Sequence, residues 1–107
     1  MPKSSLSDKL ALIGGSQGFK TVEKLGKIAA VEPIRTPFGP SAPIHTLEVD
    51  GREVYFLSRH GESGYQVTAP FVNYRANIWA LKELGVTRIV AWAGPGAIDP
   101  SIPIGYI

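Results

Sequence analysis

The side chains here that could do chemistry sit where strand-like runs give way to glycine. Glu53-Val54-Tyr55-Phe56-Leu57 is a β-branched, aromatic and aliphatic run, and Ser58-Arg59-His60-Gly61 follows it directly. A guanidinium at a strand end can hold an oxyanion through two parallel N–H donors. Open α/β sheets also collect their ligands beyond the carboxyl ends of their strands. Taken alone, Arg59-His60 is more often an exposed loop pair than a site. A second strand end lies upstream, where Leu10-Ala11-Leu12-Ile13 runs into Gly14-Gly15-Ser16-Gln17-Gly18. Glycines let backbone N–H groups approach an anion, and the Ser16 hydroxyl adds a donor. That stretch has neither Gly-x-Gly-x-x-Gly nor Gly-Lys-Ser/Thr, so by itself it reads as a plain turn. A third end closes Arg88-Ile89-Val90-Ala91-Trp92-Ala93, which leads into Gly94-Pro95-Gly96-Ala97. Three such ends on one sheet edge, with Arg59 among them, predict an anion site.

The elements that must position these ends follow from pattern. His45-Thr46-Leu47-Glu48-Val49 and Glu53-Val54-Tyr55-Phe56-Leu57 flank Asp50-Gly51, the sequence signal for a tight antiparallel hairpin. His45, at the mouth of the first strand, reads as a surface or hydrogen-bonded histidine. Pro33, Pro37 and Pro40 exclude regular central-strand pairing between them. The charged segment from Lys20 to Lys27, with room for one helical turn, leads to Ile28-Ala29-Ala30-Val31. After a polar loop from Glu62 to Ala69, a helix is expected from Pro70, capped by Thr68 or Ala69, to Leu84 with Gly85 as its stop. Phe71, Tyr74, Ile78 and Leu81 form its apolar stripe, with Asn73, Asn77, Ala80 and Leu84 beside it. The two asparagines then need partners in a neighbouring loop. Trp79 is expected either half-buried locally or covered by a partner subunit. Strand, helix and strand at this spacing imply a right-handed parallel crossover, which brings the ends at Leu57 and Ala93 to one edge.

Composition narrows the function classes. The chain of 107 residues is 44% hydrophobic and 19% charged, which allows one modest core. Its 11 Lys+Arg against 9 Asp+Glu form no basic run or aromatic-basic ladder, so no nucleic-acid partner is expected. The chain has no cysteine, and its 2 histidines lie far apart, so neither a disulfide framework nor a metal centre is expected. The lack of a membrane-length apolar run or a signal-like start predicts a soluble protein with no membrane partner, compatible with the cytoplasm. The division expected is a flexible N-terminus over residues 1–9 and an α/β domain over residues 10–107. That domain is a mixed twisted sheet with one helix crossover.

Four stretches together resemble a known family. Ile13-Gly14-Gly15-Ser16, Thr36-Pro37-Phe38-Gly39, Ser58-Arg59-His60-Gly61 and the long segment from Val72 to Lys82 occur in the order seen in 5'-methylthioadenosine phosphorylases, members of the trimeric purine nucleoside phosphorylase family. The resemblance covers residues 10–107 and corresponds to the N-terminal half of that fold. It implies a pentosyltransferase that works in purine salvage. In such enzymes inorganic phosphate, the co-substrate, attacks the anomeric carbon of a purine nucleoside to give free base and ribose 1-phosphate, with no cofactor. It also implies roles. Ser16 matches the phosphate-binding hydroxyl of the first glycine loop, Arg59 the phosphate clamp and His60 the histidine after it. Ala93 and Gly94 match the loop that closes over phosphate and sugar.

The departures from the family pattern are specific. Where the family commonly has threonine, alanine and cysteine, this chain has Ala93, Gly94 and Pro95, so backbone donors must replace a hydroxyl. The segment Glu62-Ser63-Gly64-Tyr65-Gln66 lacks a histidine found in many relatives, and Tyr65 or Ser63 is the candidate replacement. The family's base-recognising residues, and a further strand, are expected beyond Ile107. A purine nucleoside site therefore requires a C-terminal segment or a complementary chain, in a homo- or hetero-oligomer, and no residue is assigned to the bond-breaking step itself. The alternative is a non-catalytic anion-binding or oligomer-scaffolding subunit. One long helix covers just one face of a parallel sheet, so the other face is expected to need a partner.

Overall fold

The computed structural model describes residues 8–15, 24–60, 71–92 and 97–105. The elements in chain order are β1 (Leu10–Gly14), β2 (Lys27–Glu32), β3 (Arg35–Thr36), β4 (Gly39–Pro40), β5 (Ile44–Val49), β6 (Arg52–Ser58), α1 (Tyr74–Glu83) and β7 (Arg88–Ala91). Among the described residues, five strands form one mixed sheet in the order β2-β5-β6-β1-β7. The expected α/β class with a mixed sheet is what forms.

The hairpin is as expected. Val49 pairs with Arg52 across a two-residue loop, in which Asp50 and Gly51 both take positive φ (51° and 77°). That conformation matches the natural strand twist and suits Asp-Gly. β6 and β7 are both parallel to β1, which lies between them. The crossover strands thus point the same way without pairing with each other. Among the described residues β7 is an edge strand, and every one of its residues is exposed. Trp79 is half-buried. Pro37 lies in the turn of a separate two-residue ladder, where Arg35 and Thr36 pair with Pro40 and Gly39, apart from the main sheet.

α1 lies across one face of the sheet. Ala80 and Leu81 pack with Ala11, Ile44, Tyr55 and Leu57, while Leu47 and Phe56 form a second cluster on the other face. Two expectations for the helix need correction. It begins at Tyr74 rather than Pro70, because Asn73 is the cap and accepts a hydrogen bond from the Ala76 amide (3.1 Å). Thr68, Ala69 and Pro70 lie outside the described residues. The buried face is Ala76, Asn77, Ala80 and Leu81, so only Leu81 of the expected stripe points inward. Phe71, Tyr74 and Ile78 are 78%, 53% and 49% exposed. Small Ala76 and Ala80 let the helix axis approach the sheet, which turns the bulky residues outward.

Polar bonds fix that rotation. The Asn77 side chain accepts from the Ala42 amide (2.8 Å), and Asn73 Nδ2 donates to the Phe38 carbonyl (2.8 Å). Both asparagines are thus bonded to the proline-rich loop, and Asn77, which is buried, would be costly if left unpaired. Within that loop Ser41 Oγ accepts from the Ile34 amide and donates to the Ala42 carbonyl. Thr36 Oγ1 donates to the Gly39 carbonyl. Arg75 lies 5.9 Å from the centre of the Phe38 ring.

The helix ends in a Schellman arrangement. Gly85 has φ 84°, its amide bonds to Lys82, the Val86 amide bonds to Leu81, and Val86 and Leu81 share the core. Asp8 and Lys9, placed with the N-terminal tail on sequence grounds, are tied in here. Lys9 donates to Thr87 Oγ1 through its amide and to the Leu84 carbonyl through Nζ. Asp8 pairs with Arg88 at 3.0 Å.

Two predictions follow from this packing. Asn77→Ala removes the acceptor for the partly buried Ala42 amide and should lower unfolding stability in urea by about 1–3 kcal/mol. Helix propensity alone would change stability in the opposite direction. Tyr55 is buried and donates to Glu53 Oε1 at 3.0 Å. Burial first, then the bond to Glu53 and its charge, raise the phenol pKa above 10.0. The folded state holds this proton more tightly than the unfolded chain does. The resulting stabilisation is complete below the ordinary phenol pKa and is lost as pH rises through the folded value. Tyr55→Phe should therefore flatten the alkaline fall in urea midpoint above about pH 10.

Candidate functional site

Parallel pairing carries the strand ends to one edge. Gly14 pairs with Ser58 and Ile13 with Ala91, and the pairing continues past the strands. The Arg59 amide bonds to the Gly14 carbonyl (3.1 Å), and the Trp92 amide bonds to the Ile13 carbonyl (3.1 Å). Gly15, Arg59 and Trp92 are thus the first residues past three neighbouring strands.

The Arg59 side chain closes this edge. Its Nη1 donates to the Trp92 carbonyl at 3.0 Å. Its Nη2 lies 3.2 Å from where a Cβ on Gly15 would sit. The guanidinium therefore rests against bare glycine backbone on one side and a carbonyl on the other. It is half-buried, with further N–H donors beyond the one engaged by Trp92. This arrangement can bind an oxyanion chemically, since a planar fork of donors is held where the strands end.

The opposite side of the sheet end is aromatic. The Trp92 ring stacks on Phe56 with centroids 6.2 Å apart and planes 25° from parallel, and His45 meets Phe56 at 5.7 Å and 53°. A Cβ on Gly14 would lie 2.7 Å from Trp92 Cζ2 and 3.1 Å from Phe56 Cε1. The indole thus crosses the β1 end in the space that glycine leaves. His45 is 2% exposed and packs on the Phe56 ring, which excludes the surface half of the expectation of a surface or hydrogen-bonded histidine.

Of the residues proposed from sequence, Arg59 and His60 are described. Arg59 stands at the convergence; His60 is 4% exposed and packed into the interior at the end of β6. Ser16, Ser63, Tyr65, Ala93 and Gly94 lie outside the described residues. Trp92 was missed on sequence grounds. Its signal was present in a bulky aromatic at the end of β7 and a glycine at the end of β1, but their adjacency depends on the register.

Residues 9–107 match the family model described as the Phosphorylase superfamily. The chain belongs to that superfamily. It is 46% identical over 101 residues to the S-methyl-5'-thioadenosine phosphorylase of Pyrococcus abyssi, covering 92% of this chain and 37% of that protein. It is 43% identical over 97 residues to a probable S-methyl-5'-thioinosine phosphorylase of Pseudomonas syringae pv. tomato, covering 90% of this chain and 38% of that one. Among solved structures, methylthioadenosine phosphorylase from Schistosoma mansoni in complex with adenine superposes with a TM-score of 0.67 at 41% identity, over 78% of this chain and 30% of that chain. This phosphorylase-superfamily chain spans 33% to 38% of the length of the curated relatives it matches. Its mixed sheet and helix correspond to the N-terminal part of their fold. Among the described residues no helix is long and apolar enough to cross a membrane.

The close approach at the two glycines is directly testable. Gly14→Ala must displace the Trp92 ring and should cost about 1–3 kcal/mol in urea unfolding, with a changed Trp92 emission read in a Trp79→Phe background. Gly15→Ala meets just the far end of a flexible arginine at 3.2 Å and should cost less.

Proposed function

We propose that this chain forms the phosphate-binding part of a purine nucleoside phosphorylase of the methylthioadenosine type. The single observation carrying this reading is the Arg59 guanidinium, held at the convergence of three strand ends between Gly15 and the Trp92 carbonyl. In the reaction, a phosphate oxygen forms a bond to the anomeric carbon as the bond from that carbon to the purine nitrogen breaks. The electron pair of the broken bond leaves with the base. Arg59 orients the phosphate dianion, whose negative charge faces the oxocarbenium-like transition state. Ser16 follows Gly15 in sequence, and Ala93 and Gly94 follow Trp92; they supply the hydroxyl and backbone donors for the remaining phosphate oxygens. His60 serves at the same strand end, and Tyr65 or Ser63 a few residues further along the sequence. Phosphate is the co-substrate, and no cofactor takes part.

The nucleoside site requires a C-terminal segment or a complementary chain, a reading supported by the share of its relatives' length that this chain spans. Association is supported by the exposed Tyr74 and Ile78 on α1 and Phe71 just ahead of it. The same surface favours the second reading, an anion-binding or scaffolding subunit without chemistry of its own. The setting proposed is cytoplasmic purine salvage.

Titration calorimetry with inorganic phosphate tests the anion site. Arg59→Ala should weaken binding by roughly ten- to a hundredfold, and unchanged affinity would remove the site. The purified 107-residue chain should not cleave methylthioadenosine, methylthioinosine or inosine. Cleavage gained on adding a complementary C-terminal chain separates the phosphorylase reading from the scaffolding one.

A further inference from the structure

We propose that Trp92 is a positioning residue for Arg59, with its indole acting as the anchor that aims its own carbonyl at the guanidinium. This rests on the phosphate-binding reading of Arg59 and extends it to a residue that does not touch the ligand.

Trp92 is the first residue beyond β7, which ends at Ala91. Its amide is still tied to the sheet through Ile13, but its carbonyl leaves the ladder and accepts from Arg59 Nη1 instead. The direction of a carbonyl at a strand end is loose unless something else holds the residue. Here the indole does so. It stacks on Phe56, which is fully buried, and lies over Gly14, where a Cβ would come within 2.7 Å of its Cζ2. A continuous chain of contacts therefore runs from the core through Phe56 and the Trp92 ring to the Trp92 carbonyl and Arg59 Nη1.

An arginine gives up much rotamer freedom when it is fixed. A single bond from Nη1 to a rigid carbonyl fixes it before any ligand arrives and uses one N–H donor of the guanidinium's five. The glycine at position 14 belongs to the same device, since a side chain there would occupy the space the ring needs.

The experiment is a double-mutant cycle on the 107-residue chain, read by calorimetry with inorganic phosphate and paired with urea unfolding of each variant. Trp92→Ala should weaken phosphate binding about tenfold, the scale seen when the supporting partner of a ligand-holding group is removed. Trp92→Phe keeps a ring on Phe56 and should recover most of the affinity. In an Arg59→Lys background, which keeps the charge without the planar fork, Trp92→Ala should cause almost no further loss. A loss of equal size in both backgrounds, or no loss beside wild-type Arg59, overturns the inference and leaves the anion site standing. Unchanged affinity in Arg59→Ala overturns the phosphate reading and this inference with it. If Trp92→Ala does not fold, Trp92→Leu and Gly14→Ala displace or replace the ring in place of deletion, and the same coupling to Arg59 decides the outcome.

Discussion

The candidate site depends on the parallel pairing of β1 with both of its neighbours. Because β6 and β7 run alongside β1 in the same direction, the chain leaves all three strands at one edge of the sheet. An antiparallel partner would have sent its loop to the far edge. With the edge shared, Arg59 bonds to Trp92 and lies against Gly15, although 33 and 44 residues separate it from them in the chain. The hydrogen bonds that continue the ladder past the strands, from Arg59 to Gly14 and from Trp92 to Ile13, hold the backbone from which the guanidinium reaches across.

The remaining architecture serves to hold this sheet. α1 covers one face through small residues, and Asn73 and Asn77 tie it to the proline-rich loop. Those polar bonds have two effects. They satisfy groups whose burial would otherwise be costly, and they fix the rotation of the helix so that Ala76 and Ala80 face the strands. Turned in this way, the helix presents Tyr74 and Ile78 to solvent, and Phe71, ahead of it, is exposed as well. β7, at the edge of the described sheet, is exposed along its length as well.

Several features were legible in sequence because local chemistry decides them. Asp50-Gly51 specifies a tight hairpin through its tolerance of positive φ, and Gly85 specifies a helix end for the same reason. The asparagines announced a polar tie, since an apolar face cannot carry them unpaired. The helix start and its buried stripe were not legible. Asn73 was read as one more residue of the helix flank, whereas its bonds to Ala76 and Phe38 make it the boundary. The bulkiest apolar residues were assigned inward by size, but close approach to a sheet selects small ones.

The amino-acid sequence by itself determined the elements, the class of fold and the identity of the arginine as the group to watch, because strand runs, glycine turns and a strand-end guanidinium are all local patterns. Tertiary structure alone decided what that arginine touches. The Trp92 carbonyl, the bare backbone of Gly15 and the indole lying over Gly14 become neighbours through register across three strands. Register is set by the whole sheet burying its faces together, and no single segment carries it.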